Sequence, residues 1–157
     1  MNETSDLNIL IIESNYYEDI ADNLREGAIA RLKEVGADYE IISVPGALEI
    51  PIALSLAAEA QLIPDDADSG RYNGCVALGC VIRGETTHYD TVANESARSL
   101  MTVATSWHLP LGNGILTVEN REQALVRSDK GKGNKGGGAV DACLSLIALK
   151  NGFDDLS

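Results

Sequence analysis

The sequence is poor in aromatic residues and lacks the motifs of several common nucleotide and metal chemistries. Phe, Trp and Tyr make up 4% of its 157 residues, so Ala, Val, Ile and Leu must form most of a core. No Gly-x-Gly-x-x-Gly follows the first predicted strand, which leaves a dinucleotide fold without support. The glycine-rich segment 130–138 lacks the Gly-Lys-Ser/Thr ending of a P-loop and follows a helix, which excludes a nucleoside triphosphatase. Zinc ligands at usable spacing and a nucleophile elbow are also missing.

Positive charge is scarce as well. Lys and Arg number 12 against 24 Asp and Glu, and the net charge is −12. Such a surface repels DNA, RNA and anionic membranes on average, so we expect none of them as a partner. A third of the cations nevertheless fall within nine residues, at Arg127, Lys130, Lys132 and Lys135. A solvated basic loop and a functional cationic site both remain open for this segment.

The three cysteines, Cys75, Cys80 and Cys143, lie in apolar runs without a C-x-x-C pair. They are typical of reduced core thiols in a cytosolic protein. The acidic residues 1–6 are followed by an apolar segment that is too short for a signal peptide or a membrane span. We therefore expect a cytoplasmic protein.

Apolar runs and amphipathic segments alternate along the chain. This pattern predicts a parallel sheet with helices on both faces: a three-layer α/β/α fold with a four-stranded sheet in flavodoxin-like order, formed by one domain over residues 1–157. Residues 63–73 are interpreted as an elaborated loop. The last helix is apolar almost all round, which favours partial burial against another subunit. The predicted strands are 7–12, 39–44, 74–82 and 115–118, and the predicted helices are 19–35, one that contains Pro51 and continues to 60, 88–105, 120–127 and 138–150.

Ligands of such sheets bind beyond the carboxyl ends of the strands. To these ends of strands one to four the sequence assigns, respectively, Tyr16, Leu48 with Glu49, residues 81–88, and Asn113. The third strand passes through Arg83-Gly84 into a Thr-Thr helix start, which directs backbone N–H groups and a helix dipole toward a volume suited to an anion. His88 lies just inside that helix. An ordinary turn with a surface histidine, and a Glu49 that merely favours its helix dipole, remain alternatives.

Four segments together resemble the 6,7-dimethyl-8-ribityllumazine synthase family of riboflavin biosynthesis. They occur in that family's order and at its spacing, and the resemblance extends over residues 9–149. The segments are 44–51 (Val-Pro-Gly-Ala-Leu-Glu-Ile-Pro), 79–90 (Gly-Cys-Val-Ile-Arg-Gly-Glu-Thr-Thr-His-Tyr-Asp), 114–120 (Gly-Ile-Leu-Thr-Val-Glu-Asn) and 133–136 (Gly-Asn-Lys-Gly).

The resemblance implies a cofactor-independent transferase that condenses 5-amino-6-ribitylaminouracil with 3,4-dihydroxy-2-butanone 4-phosphate through a Schiff base. His88 is then the proton carrier, and Arg127 binds the phosphate together with the turn before His88. Tyr16 stacks on the pyrimidine, Val81 and Ile82 offer backbone groups to its edge, and Glu49 and Lys135 take ribityl hydroxyls and ring oxygens. The implied substrate-binding residues are Tyr16, Ala47, Leu48, Glu49, Val81, Ile82, Gly84, Glu85, Thr86, Thr87, Asn113 and Lys135.

The sequence also departs from the family pattern. The family often has Phe where this chain has Tyr16, Leu48 and Asn113, so we expect a thinner aromatic cage and weaker substrate binding. Whether Tyr16 or Tyr17 stacks stays open.

The family builds its sites between neighbours in a ring of five subunits, and some members assemble such rings into a shell. The resemblance therefore implies a homopentamer or a larger shell in which Asn113, Arg127 and Lys135 act in the adjacent subunit's site. Alternatives to an enzyme are a non-catalytic homologue that binds a lumazine or flavin or forms a shell, and a flavodoxin-like electron carrier.

Overall fold

The computed structural model describes residues 6–64 and 70–157. Strands and helices alternate as predicted until a second helix follows the last strand. In chain order they are β1 (Asn8–Ser14), α1 (Glu18–Val35), β2 (Asp38–Val44), α2 (Glu49–Glu59), β3 (Gly74–Ile82), α3 (His88–Trp107), β4 (Leu111–Val118), α4 (Arg121–Ser128) and α5 (Lys135–Leu156). The sheet is parallel throughout and its order is β2-β1-β3-β4, which confirms the predicted flavodoxin-like order.

The inner strand β1 shows why the fold has three layers. Successive side chains of a strand point to opposite faces of the sheet. Leu10 and Ile12 of β1 pack with α2 and α3, whereas Ile9 and Ile11 pack with α1, α4 and α5. All four side chains are fully buried. A strand covered on both faces is a continuous apolar run, as the sequence indicates.

Strand β4 begins earlier than predicted, at Leu111 rather than at residue 115. The reason is that its glycines serve packing and do not break the strand. A Cβ at Gly112 would lie 1.8 Å from the carbonyl oxygen of Ala139, so glycine lets α5 approach the sheet closely. Asn113 therefore lies inside β4, opposite Ala77 of β3. The prediction that Asn113 follows the carboxyl end of the strand is wrong.

Helix α5 is longer at both ends than the predicted span 138–150, since it runs from Lys135 to Leu156. Its start is fixed by Asn134, which has φ 49° and accepts a hydrogen bond from the Gly137 amide at 3.2 Å. A Cβ at Gly136 would lie 2.1 Å from the carbonyl oxygen of Leu24 on α1. Glycine is unfavourable for an isolated helix, but the crossing of α5 and α1 requires it here.

Two predictions fall partly outside the described residues: the acidic amino terminus, at residues 1–5, and the loop 63–73, at residues 65–69. Where the loop is described, the amides of Arg71 and Tyr72 both donate to the carbonyl oxygen of Leu62. Among the helices formed by residues 6–64 and 70–157, none is long and apolar enough to cross a membrane.

Candidate active site

A cavity of about 410 Å³ lies at the carboxyl edge of the sheet. It opens where β1 and β3 end side by side, because α1 leaves β1 toward one face of the sheet and α3 leaves β3 toward the other. Diverging connections of this kind create the ligand crevice of open parallel sheets. The lining residues are Tyr16, Tyr17, Pro45, Gly46, Ala47, Leu48, Glu49, Cys80, Val81, Ile82, Gly84, Thr86, His88, Tyr89 and Val92.

The cavity brings together most of the residues that the sequence assigns to a site. Glu85 and Thr87 belong to the turn beside it but do not line it, and Asn113, Arg127 and Lys135 lie elsewhere on the chain. The predicted residues that do line the cavity are Tyr16, Ala47, Leu48, Glu49, Val81, Ile82, Gly84, Thr86 and His88.

The turn between β3 and α3, residues 84–87, presents free backbone donors, and we call it the anion turn. In the described parts of the chain none of its amides donates to a protein acceptor, and its Thr87 forms no side-chain cap on α3. The next amide, that of His88, donates to Thr86 Oγ1 at 3.3 Å. The positive end of the dipole of α3 adds to these donors. The anion turn is therefore built to receive an anion such as a phosphate group.

Two ionisable side chains line the same cavity as the anion turn. His88 is the first residue of α3, is exposed and lines the cavity, so its imidazole is a candidate for proton exchange with a substrate. Glu49 is the first residue of α2, and a Cβ at Gly46 would lie 3.2 Å from its Oε1. Glycine thus leaves the Glu49 carboxylate room above the Pro45-Gly46 turn. The described residues contain no group of three or more His, Cys, Asp or Glu that would hold a metal ion.

The two tyrosines of the cavity differ in burial. Their rings form an edge-to-face pair with centroids 5.0 Å apart. Tyr16 is 73% exposed, whereas Tyr17 is partly buried and packs against the apolar cluster on the α1 side of the sheet. Burial, assisted by the nearby Cys80 and Tyr16, raises the pKa of Tyr17. Tyr16 therefore offers more ring surface to a planar ligand than Tyr17, with which it forms the edge-to-face pair.

Sequence reasoning missed three of the lining residues on β3 and α3. Cys80 was interpreted only as a core thiol, but it both packs in the core and reaches the cavity, and burial raises its pKa to about 11. Tyr89 and Val92 follow His88 on the first turns of α3. Helical spacing was a usable signal for Val92, because residues four apart lie on one face of a helix.

The cations of the basic segment are not part of this cavity, whose lining includes no Lys or Arg. Arg127 is exposed in the last turn of α4, with Nη1 3.5 Å from the carbonyl oxygen of Gln123. Lys135 is exposed at the first position of α5. The anion turn thus has no cationic side chain from the lining of its own cavity to complement it.

Comparison with known proteins identifies the family. The family model described as 6,7-dimethyl-8-ribityllumazine synthase matches residues 6–151. The chain belongs to the 6,7-dimethyl-8-ribityllumazine synthase family. A protein of that name from Methylorubrum populi is 57% identical over 142 residues, which is 90% of this chain and 82% of the relative. The 6,7-dimethyl-8-ribityllumazine synthase 1 of Rhizobium meliloti is 53% identical over 152 residues, or 96% and 95% of the two chains.

Membership in the lumazine synthase family confirms the resemblance found in the four segments. The matched residues 6–151 include every residue that lines the cavity, and also Asn113, Arg127 and Lys135. The relatives cover most of the chain as well, including that of Azorhizobium caulinodans, which is 56% identical over 142 residues. The lumazine synthase match therefore concerns the whole fold and not a single motif.

Proposed function

We propose that this chain condenses 5-amino-6-(D-ribitylamino)uracil with 3,4-dihydroxy-2-butanone 4-phosphate to 6,7-dimethyl-8-ribityllumazine, with release of phosphate and water, in riboflavin biosynthesis. The observation that carries the proposal is the open anion turn directly beside His88, in the cavity of a member of this synthase family. The reaction needs a held phosphate and moved protons, and it involves no net oxidation or reduction. It therefore requires no redox cofactor.

The phosphate end of the reaction is assigned to the anion turn. Its Gly84, Glu85, Thr86 and Thr87 amides receive the phosphate oxygens, and the dipole of α3 favours the negative charge. His88 stands at the same helix start. It transfers protons as the pyrimidine amine attacks the ketone, the Schiff base forms and phosphate leaves. Holding both reactants in one cavity supplies much of the rate by proximity.

The pyrimidine end is assigned to the opposite part of the cavity. Tyr16 stacks on the ring, since it is the more exposed of the two tyrosines that line the cavity. The backbone of Val81 and Ile82, at the end of β3, pairs with the pyrimidine edge, and Ala47 and Leu48 lie across from them. Glu49 accepts hydrogen bonds from ribityl hydroxyls.

We further propose that the chain acts as a homopentamer in which Arg127, Lys135 and Asn113 complete the site of a neighbouring subunit. The absence of any Lys or Arg from the lining of the described cavity supports this arrangement, because a phosphate site gains from a bidentate arginine. Exposed apolar side chains on α4 and α5, the helices that carry the two cations, also support it: Leu125, Val126, Leu146, Leu149 and Phe153. A surface of this kind favours burial against another copy.

The remaining parts of the proposal concern setting and partners. The chain works as a single domain on small molecules in the cytoplasm, and neither nucleic acid nor a membrane takes part. The net charge of −12 supports this, because it disfavours polyanionic partners. The three buried free cysteines fit a reducing compartment.

The activity is tested by mixing the purified protein with both substrates and recording the absorbance of the lumazine product. We expect the rate to exceed the spontaneous condensation by orders of magnitude. A rate equal to that of the substrates alone would contradict the enzyme and favour a non-catalytic homologue.

The shared site is tested by subunit mixing. Arg127→Ala removes the cation offered to the neighbour, and Thr87→Asp places a negative charge in the chain's own anion turn. We expect both variants to have a raised KM for the phosphate substrate. If sites form between subunits, co-assembly at equal amounts yields intact sites at about one interface in four. Activity of the mixed assembly that does not exceed the mean of the two variants would contradict a shared site.

A further inference from the structure

Arg83 lies between the last residue of β3 and the anion turn, and the proposed reaction gives it no role. Its amide donates to the carbonyl oxygen of Val118 at 2.9 Å. Its guanidinium donates from Nε to Glu119 Oε2 at 2.7 Å and from Nη1 to Asp90 Oδ1 at 3.5 Å. The guanidinium carbon lies 4.3 Å from the centre of the Tyr89 ring, within the range of a cation–π contact.

These contacts join three elements at the edge of the cavity. Glu119 directly follows β4, whereas Tyr89 and Asp90 belong to the first turn of α3, immediately after His88. One guanidinium therefore connects the end of β3, the end of β4 and the start of α3. The anion turn is the only chain segment between Arg83 and that helix start, so the guanidinium spans the turn from one end to the other.

The positive charge of Arg83 is committed to these partners. Two carboxylates and an aromatic face surround the guanidinium, and they raise the pKa of Arg83, with the Glu119 hydrogen bond as the main cause. Glu119 is itself held, because its amide donates to Gln123 Oε1 at 2.9 Å. The Nε and Nη1 donors of Arg83 are thus directed at carboxylates and not at the anion turn.

The contacts of Arg83 matter more for the geometry of the site than for global stability. The side chains of Arg83, Asp90 and Glu119 are 43%, 52% and 58% exposed, and ion pairs this exposed add little to global stability. By contrast, a displacement of about 1 Å in a site can cost on the order of 100-fold in rate. The contacts of Arg83 lie at the base of a turn that has no internal hydrogen bonds, so they affect the reaction rate more than global stability.

We propose that Arg83 is a positioning residue that holds the anion turn and His88 in the orientation that receives the phosphate substrate. This inference rests on the proposed function, since it concerns the same phosphate site. Arg83 acts indirectly, through the start of α3. Glu119 fixes the side chain of Arg83.

The main test compares Arg83→Met with Arg98→Met in the full-length enzyme. Arg98 is an exposed arginine of α3 that pairs with Glu95 of the same helix, so its removal is a matched loss of a surface ion pair. We expect Arg83→Met to raise KM for the phosphate substrate about tenfold, with KM for the pyrimidine within about twofold of the wild type. Arg98→Met should leave both constants unchanged, and the melting temperatures of the two variants should be similar.

Glu119→Gln distinguishes positioning from direct phosphate binding. If Arg83 positions the turn, loosening it from Glu119 raises KM for the phosphate substrate, by about threefold. If Arg83 instead bound phosphate directly, release from a competing carboxylate would lower that KM, and this result would overturn the proposal. Arg83→Lys should fall between Met and the wild type, because an ammonium cannot reproduce the planar fork.

The outcomes also separate this inference from the proposed function. A wild-type protein without activity would overturn the proposed function itself. An active wild type whose Arg83→Met variant matches Arg98→Met in both KM values would overturn only the positioning role, as would a lower melting temperature with unchanged KM values. If Arg83→Met does not fold, Glu119→Gln carries the test alone, because it changes one exposed side chain without altering its size.

Discussion

The helices that begin around the cavity start differently from those that begin away from it. α1, α2 and α3 border the cavity, and the residues before them, Tyr17, Leu48 and Thr87, form no side-chain cap. α4 and α5 start after Asn120 and Asn134, whose side chains accept from the amides of Gln123 and Gly137. A cap of this kind is generally worth about 1 kcal/mol. The protein lacks that stabilisation at the helix starts that border the cavity.

The three uncapped starts also differ among themselves. α1 has Glu18 and Asp19 in its first turn, and α2 has Glu49, so each offers its own negative charge to the helix dipole. Asp19 is further engaged by Arg121, which lowers the pKa of Asp19 through a hydrogen bond. In α3 the first-turn acid, Asp90, contacts Arg83 instead. Of the three, α3 is the start best prepared for an external anion.

The largest expected effect comes from adding a negative charge at the uncapped start of α3. Thr87→Asp places a carboxylate in the turn to which we assign the phosphate, so we expect KM for the phosphate substrate to rise about 100-fold. The same charge favours the helix dipole, so unfolding should cost about 0.5 kcal/mol more. Steady-state kinetics and a thermal melt measure the two effects.

The control for this change is Asn120→Asp, which adds the same charge at a start that does not border the cavity and keeps a capping oxygen. We expect its KM for the phosphate substrate to be unchanged. An equal rise in KM for both variants would show that net charge, and not the anion turn, governs phosphate binding.

The next effect concerns a capped start. Asn134→Ala removes the cap of α5 and places alanine at φ 49°, so we expect a loss of about 2 kcal/mol in the free energy of unfolding. Asn134→Gly also removes the side chain but tolerates the left-handed backbone, and it should lose about half as much. Denaturant unfolding measures both. Equal losses for Ala and Gly would mean that backbone strain does not contribute.

A smaller effect is expected at the first residue of α3. His88→Ala should lower kcat about tenfold, because proximity supplies much of the rate and water can carry protons in its place. His108→Ala is the control, since this second histidine ends α3 far along the chain. Saturating both substrates isolates kcat. An unchanged kcat for His88→Ala would remove the histidine from the chemistry.

The smallest expected effect tests whether water is excluded from the Cys80 thiol in the cavity wall. The pKa of Cys80 is raised by burial from 9.0 to about 11, so above pH 9 the unfolded chain loses this proton while the folded chain keeps it. Unfolding then becomes easier as the pH rises from 9 toward 11. Between pH 8 and pH 9.5, the free energy of unfolding of Cys80→Ala should fall by about 0.8 kcal/mol less than that of the wild type.

Cys143 gives the reference for that measurement. It lies in the same apolar cluster as Cys80 but does not line the cavity, and burial raises its pKa to about 12. Cys143→Ala should therefore reduce the alkaline loss between pH 8 and pH 9.5 by the same amount as Cys80→Ala, whatever each substitution costs at neutral pH. A reduction for Cys143→Ala alone would show that water reaches Cys80 through the cavity and that its thiol ionises normally.

Much of the fold was predictable from local patterns, and the misplaced starts of β4 and α5 have one cause. The strand and helix order follows from short apolar runs and helical periodicity, which depend only on neighbouring residues. The errors occur at Gly112 and Gly136, which sequence rules treat as breaks. Their Cβ positions are filled by atoms of Ala139 and Leu24, residues distant along the chain. Local rules contain no information about such contacts.

The site was predictable in the same uneven way. The segments around Glu49 and His88 carried the family resemblance, and the structure places both residues in one cavity. The choice between Tyr16 and Tyr17 was open in the sequence, and differing burial favours Tyr16 as the exposed ring. The residue types alone do not indicate that Arg83, which follows β3, contacts Glu119, which follows β4. That contact depends on β3 and β4 ending side by side.

The sequence by itself determined the order of strands and helices, the family, and the segment that carries the anion turn and His88. These properties reside in contiguous residues, whose periodicity and turn chemistry act over a few positions. Only the tertiary structure decided where β4 and α5 begin, that the amides of the anion turn have no acceptor among residues 6–64 and 70–157, and that none of the described lining residues supplies a cation. Each of these depends on distances between segments far apart in the chain, which packing sets.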